Sequence, residues 1–208
     1  MIAATARADA GAFAYRLLRL DPQAVIRLRP LAGGRAQLWA MLPFKVLATR
    51  TVATDLTADT TVAAADLLAR LDDPQLPPPT RRDAQWRWPL PPARVPVVER
   101  LPVDDVVGLA RAAEATLRTA AAEGVGARPV GERVLRDALL DHVAVVVTAP
   151  DGQSAQVPQR LVQGLVRMNF HGSGRDGMVT VRASAAWTGL SGEYGSVWLA
   201  GTSPLRLS

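Results

Sequence analysis

The sequence has no cysteine, a single lysine (Lys45), two histidines (His142 and His171) and few aromatic side chains, which make up 5% of its 208 residues. Each shortage closes off chemistry. Without cysteine there is no disulfide framework, no thiolate metal site and no cysteine nucleophile. The two histidines could bind a metal only with carboxylate help, such as Asp141 or Asp176, and neither stands in an H-E-x-x-H spacing. Long hydrophobic runs are also missing. The apolar start is broken by Arg7 and Asp9 before it reaches the length of a secretory signal. No later stretch approaches the roughly 18 uncharged apolar residues of a membrane span. No metal, no cofactor and no membrane contact are expected.

What is present suits a globular protein: 49% hydrophobic and 21% charged residues, enough for one large domain or two small ones. All 24 basic side chains except Lys45 are arginine, against 19 acidic ones, for a formal net charge of +5. Arginine in place of lysine, with abundant alanine, resembles usage in high-GC bacteria such as actinobacteria. The expected setting is therefore the bacterial cytoplasm.

Along the chain, residues 9–20 show helical spacing in Phe13, Leu17 and Leu20, with Asp9 in the first turn, and Asp21-Pro22 as the stop. Residues 24–30 alternate Ile26 and Leu28 with Arg27 and Arg29, the period of a half-buried strand. Gly33-Gly34 supplies a hairpin turn, and strands are expected over 36–42 and 44–52. Residues 60–71 return to helical spacing.

Residues 74–96 carry Pro74, Pro77, Pro78, Pro79, Pro89, Pro91, Pro92 and Pro96, a density that excludes helix and central strand. Within this stretch Trp86 and Trp88 present too much apolar area for a free linker, so the segment is expected to dock on a domain. Beyond it the pattern predicts a strand over 95–100, helices over 102–123 and 131–142, a hairpin of 143–148 with 153–157, and a helix over 158–168. Strands are expected over 178–183 and 196–200. The expected fold is α+β, with antiparallel β-meanders packed by amphipathic helices. Three parts are expected: an N-terminal helix and basic meander (1–73), an ordered Pro-rich connector (74–96) and a C-terminal α+β subdomain (97–208). Helix, strand, turn and strand recur at 9–42 and 131–157, which suggests two similar subdomains.

Motifs with chemical meaning are weak. Residues 172–177 spell G-x-G-x-x-G, but a strand pattern follows where a dinucleotide site needs a helix N-terminus. The glycines of 189–195 contain no G-K-[ST] and read as a tight turn between strands carrying Trp187 and Trp198, and a small-molecule pocket under these tryptophans is the functional alternative. Asp141, His142 and Ser154 or Ser173 make a hydrolase triad only on paper, since no serine stands in a G-x-S-x-G elbow. Residues 89–94 match P-x-x-P-x-R, an easy coincidence among so many prolines and arginines.

The most informative feature is basic. No acidic residue lies between Asp21 and Asp55, while Arg27, Arg29, Arg35, Lys45 and Arg50 all do. These five are the candidate contacts for an anion or nucleic acid. Residues 158–183, with Arg160, Arg167 and the loop at Arg175, could add a winged-helix-like end. The sequence thus favours a non-enzymatic structural or protein-interaction role, with a protein partner or a second copy of the chain. Nucleic-acid binding is the alternative, and a small-molecule binder or enzyme near Trp187 and Trp198 the second.

Overall fold

The computed structural model describes residues 2–123, 132–150, 152, 154–172, 174 and 176–201. The chain divides into two units, Met1–Leu90 and Pro91–Ser208. The division falls inside the proline-rich stretch.

In the first unit, helix α1 (Arg7–Leu20) buries Ala10, Phe13, Ala14 and Leu17, a stripe at three- and four-residue spacing. It ends where Asp21 turns extended ahead of Pro22. Three antiparallel strands follow: β1 (Val25–Leu31), β2 (Arg35–Met41) and β3 (Leu47–Ala53). Gly33 and Gly34 both take positive φ, 74° and 65°, so the first hairpin turns in the twist sense that flanking strands favour. Helical spacing predicts a helix from residue 60, but Thr60–Ala63 forms strand β4, with Ile26 opposite Val62. The β-branched Thr60, Thr61 and Val62 favour the pleated sheet, and helix α2 (Ala64–Asp72) starts only at the alanines. The strand order is β4-β1-β2-β3. Helix α1 packs on α2 and β3, against a sheet that buries Ile26, Leu28, Leu38 and Val52.

The second unit opens with β5 (Val97–Pro102) and the long helix α3 (Val103–Glu123), whose first turn carries Asp104 and Asp105 at the positive end of the helix dipole. Val103, Val106, Ala110 and Ala113 are its buried residues, while the expected Leu109, Leu117 and Ala120 are half-buried. The expected exit at Gly124 and the start of the next helix at Gly131 lie outside the described residues. Helix α4 (Glu132–Asp141) leads into the hairpin of β6 (Val143–Thr148) and β7 (Ser154–Pro158), a two-stranded sheet of its own. Gln153, expected to begin that second strand, lies outside the described residues.

Helix α5 (Gln159–Arg167) then feeds a meander of β8 (Met178–Ala183), β9 (Trp187–Ser191) and β10 (Ser196–Ala200), with β5 beside β8 in the order β5-β8-β9-β10. The strand expected to carry Trp187 is β9, and it runs on through Gly189, where the sequence pattern places the start of a turn. A side chain there would collide with the Trp198 ring, at 2.4 Å, so the indole lies directly over the glycine backbone.

The two units share one plan. A helix leads into a three-stranded meander (α1-β1-β2-β3 and α5-β8-β9-β10), and a fourth strand with its own helix (β4-α2 and β5-α3) flanks the first meander strand. In the first unit the strand–helix pair follows the meander; in the second it precedes it. The counterpart of residues 9–42 is therefore α5 with its meander, and not 131–157, whose hairpin stands outside the four-stranded sheet. The fold is α+β with antiparallel meanders packed by helices, and no helix among the described residues is long and apolar enough to cross a membrane.

Two substitutions test this packing. Phe13→Ala empties a fully buried site and is expected to lower stability by about 3–5 kcal/mol in chemical denaturation. Gly192→Ala places a methyl 2.3 Å from the Phe170 carbonyl oxygen, where only backbone can yield, and is expected to cost about 1–3 kcal/mol.

Candidate functional site

The five basic residues singled out by sequence do not form one patch. Strand register decides this, because residues directly opposite on paired strands share a face. Arg27 faces Trp39 and Arg29 faces Gln37, while Leu28, Leu38 and Arg50 are in line on the other face, the one α1 covers. Arg50 reaches Asp9 on α1 at 2.5 Å. Lys45 stands in the turn between β2 and β3, with φ 64°, at the opposite end of β2 from Arg35. Arg29 and Arg35 remain exposed on the face that carries Arg27.

Arg27 is held by a network assembled from distant parts of the sequence. Its Nε and Nη2 donate to the two carboxylate oxygens of Asp59, each at 2.8 Å. This bidentate pair raises the Arg27 pKa, against a smaller opposing effect of burial. The ring of Trp86 lies 5.7 Å from the guanidinium carbon, within cation–π range. Trp86 in turn meets Trp88 edge-on, centroids 5.2 Å apart, and its indole N–H donates to the Trp88 carbonyl at 2.8 Å.

Beside this pair, Asp83 accepts from the Thr61 backbone N–H at 2.7 Å, Arg82 N–H donates to the Thr61 carbonyl at 2.7 Å, and Arg81 donates to Asp83 and to the Asp59 carbonyl. The Thr61 hydrogen bond, then the one from Arg81, holds the Asp83 carboxyl below its usual range. The segment around residues 81–88 is thereby pinned along β4, whose outer edge it covers. Arg27, Asp59, Arg81, Asp83 and Trp86 line a polar recess there.

Sequence reasoning missed a second feature of the same unit: an apolar groove of about 390 Å³. Its floor is Leu28 and Val62 of the sheet with Leu67 and Leu71 of α2. Leu56 and Ala58 form one wall, and Pro74, Pro78 and Pro79 another. Arg7, Arg70 and Arg81 contribute to the lining, and no acidic residue does. The available signal was Leu56 and Ala58, apolar residues inside an otherwise polar loop, but nothing local ties them to prolines some twenty positions on.

The remaining candidates do not converge. Asp141 pairs with Arg160, while the Ser154 hydroxyl bonds Thr148 at 3.0 Å. The His171 ring bonds the Gly172 carbonyl. Ser173 and Arg175 lie outside the described residues, and among those described no three His, Asp or Glu side chains are placed to hold a metal.

The G-x-G-x-x-G loop runs into strand β8, so no helix follows it. The winged-helix reading of 158–183 needs correction: no strand precedes that loop, and α5 is not a free recognition helix. Gln159 and Gln163 are buried, donating to the Leu109 and Ala110 carbonyls of α3 at 3.3 and 3.2 Å. Trp187 and Trp198 are likewise buried in packing.

Residues 90–204, more than half of the chain, match the family model described as domain of unknown function DUF8185. The chain belongs to the DUF8185 family. Residues 1–88 match a further model, domain of unknown function DUF8010, so the two matches follow the two units closely. No curated protein sequence matches the chain.

Among solved structures the fold is similar to that of bacterial sliding clamps. The DNA polymerase sliding clamp of Caulobacter crescentus gives a TM-score of 0.52 at 10% identity, covering 97% of this chain and 66% of the clamp. The DNA polymerase III beta subunit of Thermotoga maritima gives 0.54 at 10%, covering 96% and 63%. The griselimycin-bound clamp of Bartonella birtlesii gives 0.52 at 15%, covering 96% and 65%. This DUF8185 chain thus spans just under two thirds of the length of each, and the likeness establishes fold alone.

The pinned segment carries a pH signature. Asp83 has a lowered pKa in the folded chain, so its contribution to stability is complete above its ordinary value of 3.8 and is lost as pH falls through the depressed one. Asp83→Asn is expected to lower the melting temperature at neutral pH and to flatten its decline below about pH 4. Parallel melts of both proteins across that range check this.

Proposed function

We propose that the chain is a non-enzymatic interaction protein of the bacterial cytoplasm, acting through contacts with other proteins or with further copies of itself. The supporting observation is the likeness, over nearly its whole length, to two proteins whose names describe them as subunits of DNA polymerase III. A subunit acts by association. The ionisable groups of this chain agree with that role: Arg27, Arg50, Asp59, Asp83, Asp141 and Arg160 are engaged in holding elements together. In this reading residues 74–96 serve as an ordered connector, the segment around Trp86 being docked on the first unit.

A second reading rests on a specific observation. Arg29 and Arg35 are exposed on one face of adjacent strands and have no ion-pair partner among the described residues. Together with Lys45 they leave an anionic partner such as DNA as the alternative.

Light scattering and affinity capture of the tagged full chain are expected to show self-association or a stoichiometric protein partner. A strict monomer that captures nothing would overturn the first reading. For the second, duplex DNA is expected to be retarded at low salt, more weakly as salt rises, and more weakly still by Arg29→Ala/Arg35→Ala. No retardation at low salt removes it.

A further inference from the structure

The face of β1, β2 and β3 that carries Arg27 is buried at one end and open at the other. Trp39, Thr49 and Thr61, in line with Arg27, are buried, whereas Arg29, Leu31, Arg35, Thr51 and Ala53 are exposed and Gln37 is half-buried. Register sorts the open end into two rows. One row is Arg29, Gln37 and Thr51; the next is Leu31, Arg35 and Ala53. Each row brings one arginine, and the two stand on the diagonal of neighbouring strands, about 7–8 Å apart at the backbone. No carboxylate occurs on this face of the three strands.

The uncharged positions tell which anion fits. In the first row the Gln37 carbonyl accepts from the Trp39 indole N–H at 3.2 Å, which leaves the Gln37 NH2 as a donor beside the exposed Thr51 hydroxyl. The second row is apolar apart from Arg35, with Leu31 37% exposed. A duplex keeps its base faces stacked inside, and its major groove admits a helix or a two-stranded ribbon, not a flat sheet. A single strand carries the same phosphates but turns out base faces, which are apolar, and unpaired base edges, which hydrogen-bond. Resting on the anionic-partner reading above, we infer that this face binds single-stranded nucleic acid. Phosphates lie at Arg29 and Arg35, a base face against Leu31 and a base edge at Gln37 and Thr51.

Fluorescence anisotropy at low salt compares three probes: a mixed-sequence single strand of about 12 nucleotides, its duplex, and an abasic strand of equal length. The single strand is expected to bind the full chain about tenfold more tightly than the duplex or the abasic strand. Arg29→Gln/Arg35→Gln is expected to weaken it about tenfold or more. The slope of log affinity against log salt falls by about 1.4 in that variant, two phosphate contacts at about 0.7 each. Leu31→Ser is expected to weaken the single strand about threefold with the slope unchanged. Arg94→Gln/Arg111→Gln, at two exposed positions of the second unit, removes the same charge and is expected to change neither affinity nor slope. Circular dichroism melts establish that each variant is folded, and if one is not, the three probes on the wild-type chain decide. Binding of none of the probes overturns the single-strand site together with the anionic-partner reading. Duplex or abasic strand bound as tightly as the single strand overturns the single-strand site alone, as does an equal loss in the Arg94→Gln/Arg111→Gln variant.

Discussion

The bidentate bond between Arg27 and Asp59 joins a sheet strand to the loop before β4, and the first unit is organised around it. Asp59 places Arg81 through its carbonyl and Arg27 through its carboxylate, and Trp86 closes over the guanidinium. A charged pair so near a sheet face is worth little if solvated. Here the side chains are 29% and 39% exposed, so the bidentate geometry and the indole orient the segment more than they stabilise it. The segment they hold does two jobs at once. It covers the outer edge of β4, which would otherwise offer unpaired backbone groups to another chain. A few residues earlier its prolines close one wall of the apolar groove. Proline suits that wall because it gives an extended, apolar surface with little conformational entropy to lose.

Packing in the two units follows the same physics by different routes. Each lays a pair of helices on an antiparallel four-stranded sheet. In the second unit the pairing of α3 with α5 is sharpened by Gln159 and Gln163, whose amides donate to carbonyls along α3. Buried amides are tolerated when they find partners and costly when they do not, so these two fix how the helices slide against one another. They are also why α5 presents few groups outward despite its polar sequence.

Local pattern was enough to read the elements whose stabilisation is local. The stripe of Phe13 and Leu17, the alternation of Ile26 and Leu28, the paired glycines of the first hairpin and the start of α3 all follow from spacing and backbone preference. What escaped was set by contacts far along the chain. Thr60–Ala63 is a strand because β1 is there to pair with it, and β9 tolerates Gly189 because Trp198 covers it. The basic stretch looked unneutralised because the partners of Arg27 and Arg50 are Asp59 and Asp9, both outside it. Alternation put Arg27 and Arg29 on one face, but only the register of β2 with β3 shows that Arg50 is on the other. The groove is lined by residues from Arg7 to Arg81, and Leu56 and Ala58 alone do not reveal it.

The position of β5 sets a timetable for synthesis. In the first unit the pairings of β1 with β2 and β4, and of β2 with β3, all lie within residues 25–63, so they can form while the ribosome is still at work. Strand β5 is different: Val97 pairs with Arg182, and Leu101 with Val179. Until β8 emerges, β5 has no strand to pair with, and α3 has only β5, α4 and α5 to pack against.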